Sequence, residues 1–103
     1  RGLLDFVVEH DAPRATREQL ARVHGAAHID GLFELAPTAG VEFIDGDTVM
    51  MPATLEAALR AAGAVVAATD LVMDGTVARA FCSVRPPGHH AERNRAMGFC
   101  FFN

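Results

Sequence analysis

Lysine is absent from this 103-residue chain, so all nine of its basic side chains are arginines. They are scattered from Arg1 to Arg95, and the formal net charge is −4. A protein that grips a phosphate backbone needs positive charge clustered on one face, so nucleic acid is not an expected partner. The one local concentration, Arg93-Asn94-Arg95, suits a solvated loop. Cysteine is nearly absent too. Cys82 and Cys100 are the only two, and they form neither a Cys-x-x-Cys pair nor a dense secreted framework, which favours a reducing, cytoplasmic setting. Long apolar runs are missing: no segment reaches the roughly 18 residues of a membrane span, and no basic-then-apolar signal opens the chain. No membrane partner is expected. Internal repeats and low-complexity stretches are lacking as well.

What is present is a soluble, globular composition, 50% hydrophobic and 21% charged. The length suffices for one small domain and is too short for two. Neither end resembles a natural terminus. The chain opens on Arg1, and it closes on Phe99–Asn103, whose phenylalanines would hold apolar area in water as a free tail. We therefore expect more chain on both sides, with residues 1–103 forming part of a domain truncated at both ends. Oligomeric state is not legible.

Leu3–Val8 is apolar and reads as a helix end running into a short strand. Thr16 with Gln19 has the form of a capping box and opens a helix over about Arg17–Val23. A second helix follows over about Ala26–Leu35, ended by Pro37. Pro37–Met51 contains Gly40, Gly46 and two aspartates without a sustained period and reads as a long loop. Pro52 suits the first residue of a helix in which Leu55, Leu59, Ala62, Val66 and Met73 recur at helical spacing, closed by Asp74-Gly75. Arg79–Val84 suits a buried strand of a parallel sheet. Helix, turn, strand and loop in that order are half of a βαβ unit, so the loop Arg85–His90 would leave the carboxyl end of a parallel strand, where ligand sites of open α/β sheets gather.

That loop carries two adjacent histidines, His89 and His90, after Pro86-Pro87-Gly88. Adjacent side chains on a strand diverge, whereas on a rigid loop two imidazoles can converge on one substrate carbonyl. Imidazole ordinarily titrates near pH ~6.5, so one ring can take a proton from water while the other stabilises charge. A bare His-His pair is more often a surface pair without a role, and the surrounding sequence changes that balance. Arg85–Ala91 (RPPGHHA), followed after six residues by Gly98–Asn103 (GFCFFN), resembles a block of the histone deacetylase family. The likeness is strongest to the class II branch and to the bacterial deacetylase-like amidohydrolases. It extends upstream more weakly, through the order of loop, helix, Asp-Gly turn and apolar strand.

The resemblance implies an α/β fold, the parallel sheet flanked by helices of the arginase and deacetylase enzymes, with only its N-terminal part in this chain. It implies zinc-dependent hydrolysis of an N-acetyl amide, with acetylated lysine as substrate. A small acetylated amine such as an acetylpolyamine is the alternative, and a non-catalytic scaffold is a third reading. His90 would be the general base toward zinc-bound water, and His89 its electrostatic partner. Gly98 and Phe99 would form one wall of the tunnel that holds the acyl-lysine arm, and Asp47 would grip the substrate backbone at the rim, with Asp45 as near competitor. A turn aspartate without function is the plain alternative for Asp47. Cys100 reads as buried packing beneath the pocket. The zinc ligands are expected beyond Asn103, so no metal ligand is assigned within the chain, and the fragment alone is expected to be inactive. His90-Ala91-Glu92 mimics a zinc deaminase, but the Pro-Cys-x-x-Cys that such enzymes require is missing.

Overall fold

Local capping chemistry sets where the first helices begin. In the computed structural model, which describes residues 2–103, the Thr16 hydroxyl accepts the Gln19 N–H at 3.1 Å and the Gln19 side chain accepts the Thr16 N–H at 2.9 Å. This capping box opens helix α1, Arg17–Ala21. Gly25 then precedes helix α2, Ala26–Leu35, which stops where Ala36 turns extended ahead of Pro37. Helix α2 lies where the sequence places it, whereas α1 starts as expected and ends at Ala21, two residues short of Val23.

Three expectations need correction. Leu3–Phe6 forms a 3-10 turn, and Val7 is extended but pairs with no strand among the described residues. Pro37–Met51 is not all loop: Glu42–Phe43 (β1) and Val49–Met50 (β2) pair antiparallel, Glu42 opposite Met50 and Phe43 opposite Val49. Two-residue strands are too short to print a period of two in a sequence. Arg79–Val84 is assigned to no strand, and the hairpin is the one sheet among the described residues. A strand exists only through its neighbours' hydrogen bonds, and no backbone hydrogen bond involves Ala78–Pro87 among the described residues. The segment ends on Val84, half-buried, while Phe81 stands 91% exposed.

Helix α3, Thr54–Met73, starts two residues after Pro52, because the Thr54 hydroxyl accepts the Met51 N–H at 2.8 Å and fixes the turn there. It ends at Asp74 with Gly75 in the left-handed region, as the Asp-Gly pair implies. Of the residues read as its apolar face, Leu59 is buried and Leu55 packs against the core, whereas Met73 at the last turn is exposed. Gly63 is required by close approach: a Cβ there would lie 1.9 Å from the Pro13 carbonyl oxygen. The crossing segment is fastened by the Ala15 N–H on the Leu59 carbonyl at 2.9 Å and by Arg14 and Arg60, which both pair with Glu56 at 2.7 Å.

The core gathers Leu20 of α1, Ile29 and Leu32 of α2, Met50 of β2, Ala58 and Leu59 of α3, and Phe101 and Phe102 from the C-terminal segment. Phe101 and Phe102 thus pack inside, while Leu3, Phe6, Phe43 and Met73 stay exposed. The radius of gyration, 14.7 Å, exceeds the about 13 Å of a compact domain this long. No helix among the described residues is long and apolar enough to cross a membrane.

Candidate active site

The histidine turn is held from below by the last residues of the chain. The Ala91 N–H donates to the Gly88 carbonyl at 3.0 Å, and the Asn103 amide donates to the Ala91 carbonyl at 3.0 Å. A Cβ on Gly88 would lie 2.3 Å from the Phe102 carbonyl oxygen, so only glycine lets the two segments touch. The His89 and His90 rings stand exposed on this turn with centroids 4.3 Å apart and planes inclined by 58°. The two rings therefore lie side by side on the turn.

Gly98 and Phe99 form a tight turn of their own. Met97 and Cys100 exchange backbone hydrogen bonds at 3.1 and 2.9 Å, and both residues between them have positive φ, 58° at Gly98 and 64° at Phe99. Those are the signs of a type I′ hairpin turn, in which an aromatic residue at the second central position is unusual. The turn leaves the Phe99 side chain 57% exposed and brings Gly98 against the His90 ring, where a Cβ would lie 2.8 Å from Cδ2. Cys100 is fully buried, as the sequence suggests, and it also links the two turns. Its sulfur accepts the His90 N–H at 3.4 Å and its thiol donates to the Gly98 carbonyl at 3.3 Å.

Asp47 reaches this group through Thr48. The Thr48 hydroxyl donates to Asp47 Oδ1 at 3.0 Å and accepts the Phe99 N–H at 3.2 Å. Asp47 itself is exposed, and its N–H donates to Asp45 Oδ1 at 3.2 Å. That backbone N–H, followed by contact with the Asp47 side chain, holds the Asp45 carboxyl below its ordinary range. The five residues singled out in the sequence thus lie along one connected path, with Asp45 behind Asp47.

Sequence reasoning missed a second group, which fastens the site from the α2 side. His24, 1% exposed, faces the Arg93 carbonyl with Nδ1 at 3.1 Å, and its Nε2 accepts the Asn103 N–H at 2.9 Å. An amide N–H can only donate, so Nε2 is bare and Nδ1 carries the proton. Burial, together with the charges of His28 and Arg93, pushes the His24 pKa down from its ordinary value against the hydrogen bond to Arg93. His28 stacks on it at 4.7 Å and reaches the Phe101 carbonyl through Nε2 at 2.9 Å. The four-residue spacing of the two histidines was the available signal. Their partners, more than 60 residues away, gave none.

Two turns are set edge to edge, one bearing paired imidazoles and the other the exposed Phe99, in a chain of the arginase and deacetylase fold. The chain belongs to the histone deacetylase family, whose histone deacetylase domain model matches residues 1–103. It is 41% identical over 101 residues to a histone deacetylase-like amidohydrolase of Pseudomonas aeruginosa, covering 98% of this chain and 26% of that protein. It is 35% identical over 109 residues to the human polyamine deacetylase HDAC10, covering all of this chain and 16% of that one. The crystal structure of the HDA15 HD domain superposes with a TM-score of 0.88 at 32% identity, covering 93% of this chain and 27% of that chain. The chain thus spans about a quarter of the bacterial relative's length. The resemblance read from the two motifs is borne out, and so is the fold, although the parallel sheet is not assembled within these residues.

Proposed function

We propose that the protein carrying this chain hydrolyses N-acetyl amides, with acetyl-lysine as substrate, and that residues 1–103 supply one wall of its active site. The observation that carries this reading is the pair of imidazoles 4.3 Å apart beside Gly98, in a chain whose relatives are named amidohydrolase and deacetylase. In the reaction His90 accepts the proton of the attacking water. His89 stabilises the charge that develops, and a proton passes to the departing amine nitrogen, so that amide and water become acetate and free amine. The exposed Phe99 face and Gly98 flank the acyl-lysine methylenes, and the Asp47 carboxylate accepts from substrate backbone N–H groups at the rim.

Zinc dependence belongs to the same reading, but a zinc ion does not fit the described residues by themselves. No group of three or more His, Cys, Asp or Glu side chains among them can hold a metal. The ligands belong to chain beyond Asn103, and the isolated fragment is inactive. Both cysteines are free, which suits a cytoplasmic setting.

An acetylated polyamine is the second reading, favoured by the name of one relative. Acetate release by the purified full-length protein from an acetyl-lysine peptide and from an N-acetylated polyamine, with elemental analysis for zinc, separates the two. Faster release from the peptide is expected. Release from neither substrate by zinc-loaded protein overturns the proposal.

A further inference from the structure

We propose that Thr48 is a positioning residue that couples the rim carboxylate of Asp47 to the aromatic wall at Phe99 through a single buried hydroxyl. The inference rests on the substrate-binding roles given above to Asp47 and Phe99. Thr48 is 0% exposed, although it sits between two exposed residues of the site. A hydroxyl has one hydrogen to give, and although the Asp45 carboxyl also lies against it, its bonds to Asp47 and Phe99 fix the direction. The Asp47 carboxylate can only accept and the Phe99 amide can only donate, so the chain of bonds runs from Phe99 N–H through Thr48 O–H to Asp47 Oδ1. Thr48 itself cannot drift. Its carbonyl accepts the Ile44 N–H at 2.8 Å, and the next residues, Val49 and Met50, form β2.

Each partner needs the bond for a different reason. Phe99 is the one residue other than glycine with positive φ among the described residues, and a bulky side chain keeps that backbone only where its surroundings hold it. Asp47 is exposed, and an unrestrained surface carboxylate samples several rotamers. One hydroxyl therefore sets both the height of the aromatic wall and the direction of the rim acceptor. It bridges two segments 51 residues apart. Loss of that hydroxyl disturbs where the substrate is held, and it leaves the proton-transfer histidines, fastened through Cys100 and Asn103, in place.

The test is a set of steady-state measurements on the full-length protein with an acetyl-lysine peptide, comparing wild type, Asp47→Ala, Thr48→Val, Thr48→Ser and the double variant Asp47→Ala/Thr48→Val. Thr48→Val keeps the volume and removes the hydroxyl. It is expected to raise KM about five- to tenfold, the scale of one to two lost hydrogen bonds, with kcat within about twofold. Thr48→Ser is expected to restore the wild-type KM. The double variant should show a KM rise smaller than the product of the single ones, because both changes break one coupled unit. An unchanged KM in Thr48→Val beside a raised KM in Asp47→Ala overturns the coupling and leaves the deacetylase reading standing. So does full multiplicativity in the double variant. An inactive wild type, or an Asp47→Ala protein with normal KM, sinks the underlying reading and this inference with it. Should Thr48→Val fail to fold, Thr48→Cys, whose thiol is a weak donor, is expected to show the same KM rise, and wild-type kinetics from it would overturn the proposal.

Discussion

Gly98 stands directly against the imidazole of His90: a methyl group on its α-carbon would lie 2.8 Å from Cδ2, 2.9 Å from Cγ and 3.0 Å from Cβ. All three atoms are near the root of the side chain, where rotation gives little relief, and the φ of 58° further disfavours any side chain. Gly98→Ala should therefore displace the His90 ring. Since a shift of about 1 Å in a catalytic group can cost on the order of 10²-fold, kcat on an acetyl-lysine peptide is expected to fall at least tenfold, with Tm lowered by a few degrees. Wild-type kcat in a folded Gly98→Ala protein would show that His90 does not need this contact.

The two histidines should not count equally. His90 lies beside Gly98 and is tied through its N–H to Cys100, whereas His89 meets His90 ring to ring and makes no hydrogen bond among the described residues. If His90 is the general base, His90→Ala in the full-length protein should lower kcat by about 10²–10⁴-fold, and His89→Ala by less. Both variants should retain zinc by elemental analysis. Loss of the metal from His90→Ala would recast the pair as ligands.

Asp47 and Asp45 are separated by their hydrogen bonds. Asp45 is turned back onto the Asp47 N–H, and Asp47 is held by Thr48 beside the Phe99 wall. Asp47→Ala is expected to raise KM for peptide substrates about tenfold with zinc content unchanged, and Asp45→Ala to raise it by less. Steady-state kinetics of the pair decide the matter. The reverse order would move the substrate grip two residues upstream.

His24 predicts a pH dependence of stability. Its pKa in the folded protein is lowered from 6.5, chiefly by burial, so between pH 6.5 and that lower value the unfolded chain binds the proton more readily than the folded one. Its contribution is fully present above pH 6.5 and is lost as pH falls below it. Protonation would also replace the acceptor facing the Asn103 N–H with a second donor. Thermal unfolding of wild type should show a fall in Tm from about pH 6.5 downward that His24→Gln, which keeps an acceptor and does not titrate, flattens. His24→Leu takes the acceptor from the Asn103 N–H, while the Arg93 carbonyl keeps the Gly25 N–H, and should cost about 1 kcal/mol at neutral pH by chemical denaturation.

By itself the sequence determined what depends on near neighbours. Thr16 and Gln19 open α1, Pro37 forces Ala36 extended at the end of α2, and Asp74-Gly75 closes α3, because capping bonds reach only three or four residues along the chain. The family was legible because a Gly-His-His turn and a Gly-Phe-Cys turn must fit one another, which fixes residue types at a short spacing. Tertiary structure decided everything that rests on a distant partner. Arg79–Val84 has the composition of a buried strand and forms none, since the hydrogen bonds that make a strand belong to its neighbours. Thr48 meets Phe99 across 51 residues and His24 meets Asn103 across 79. A threonine ahead of a short strand and a histidine ahead of a helix carry no local mark of those partners. Only the packing of α1, α2, α3 and the C-terminal phenylalanines brings the Asp47 loop, the His89–His90 turn and the Gly98–Phe99 turn to one place.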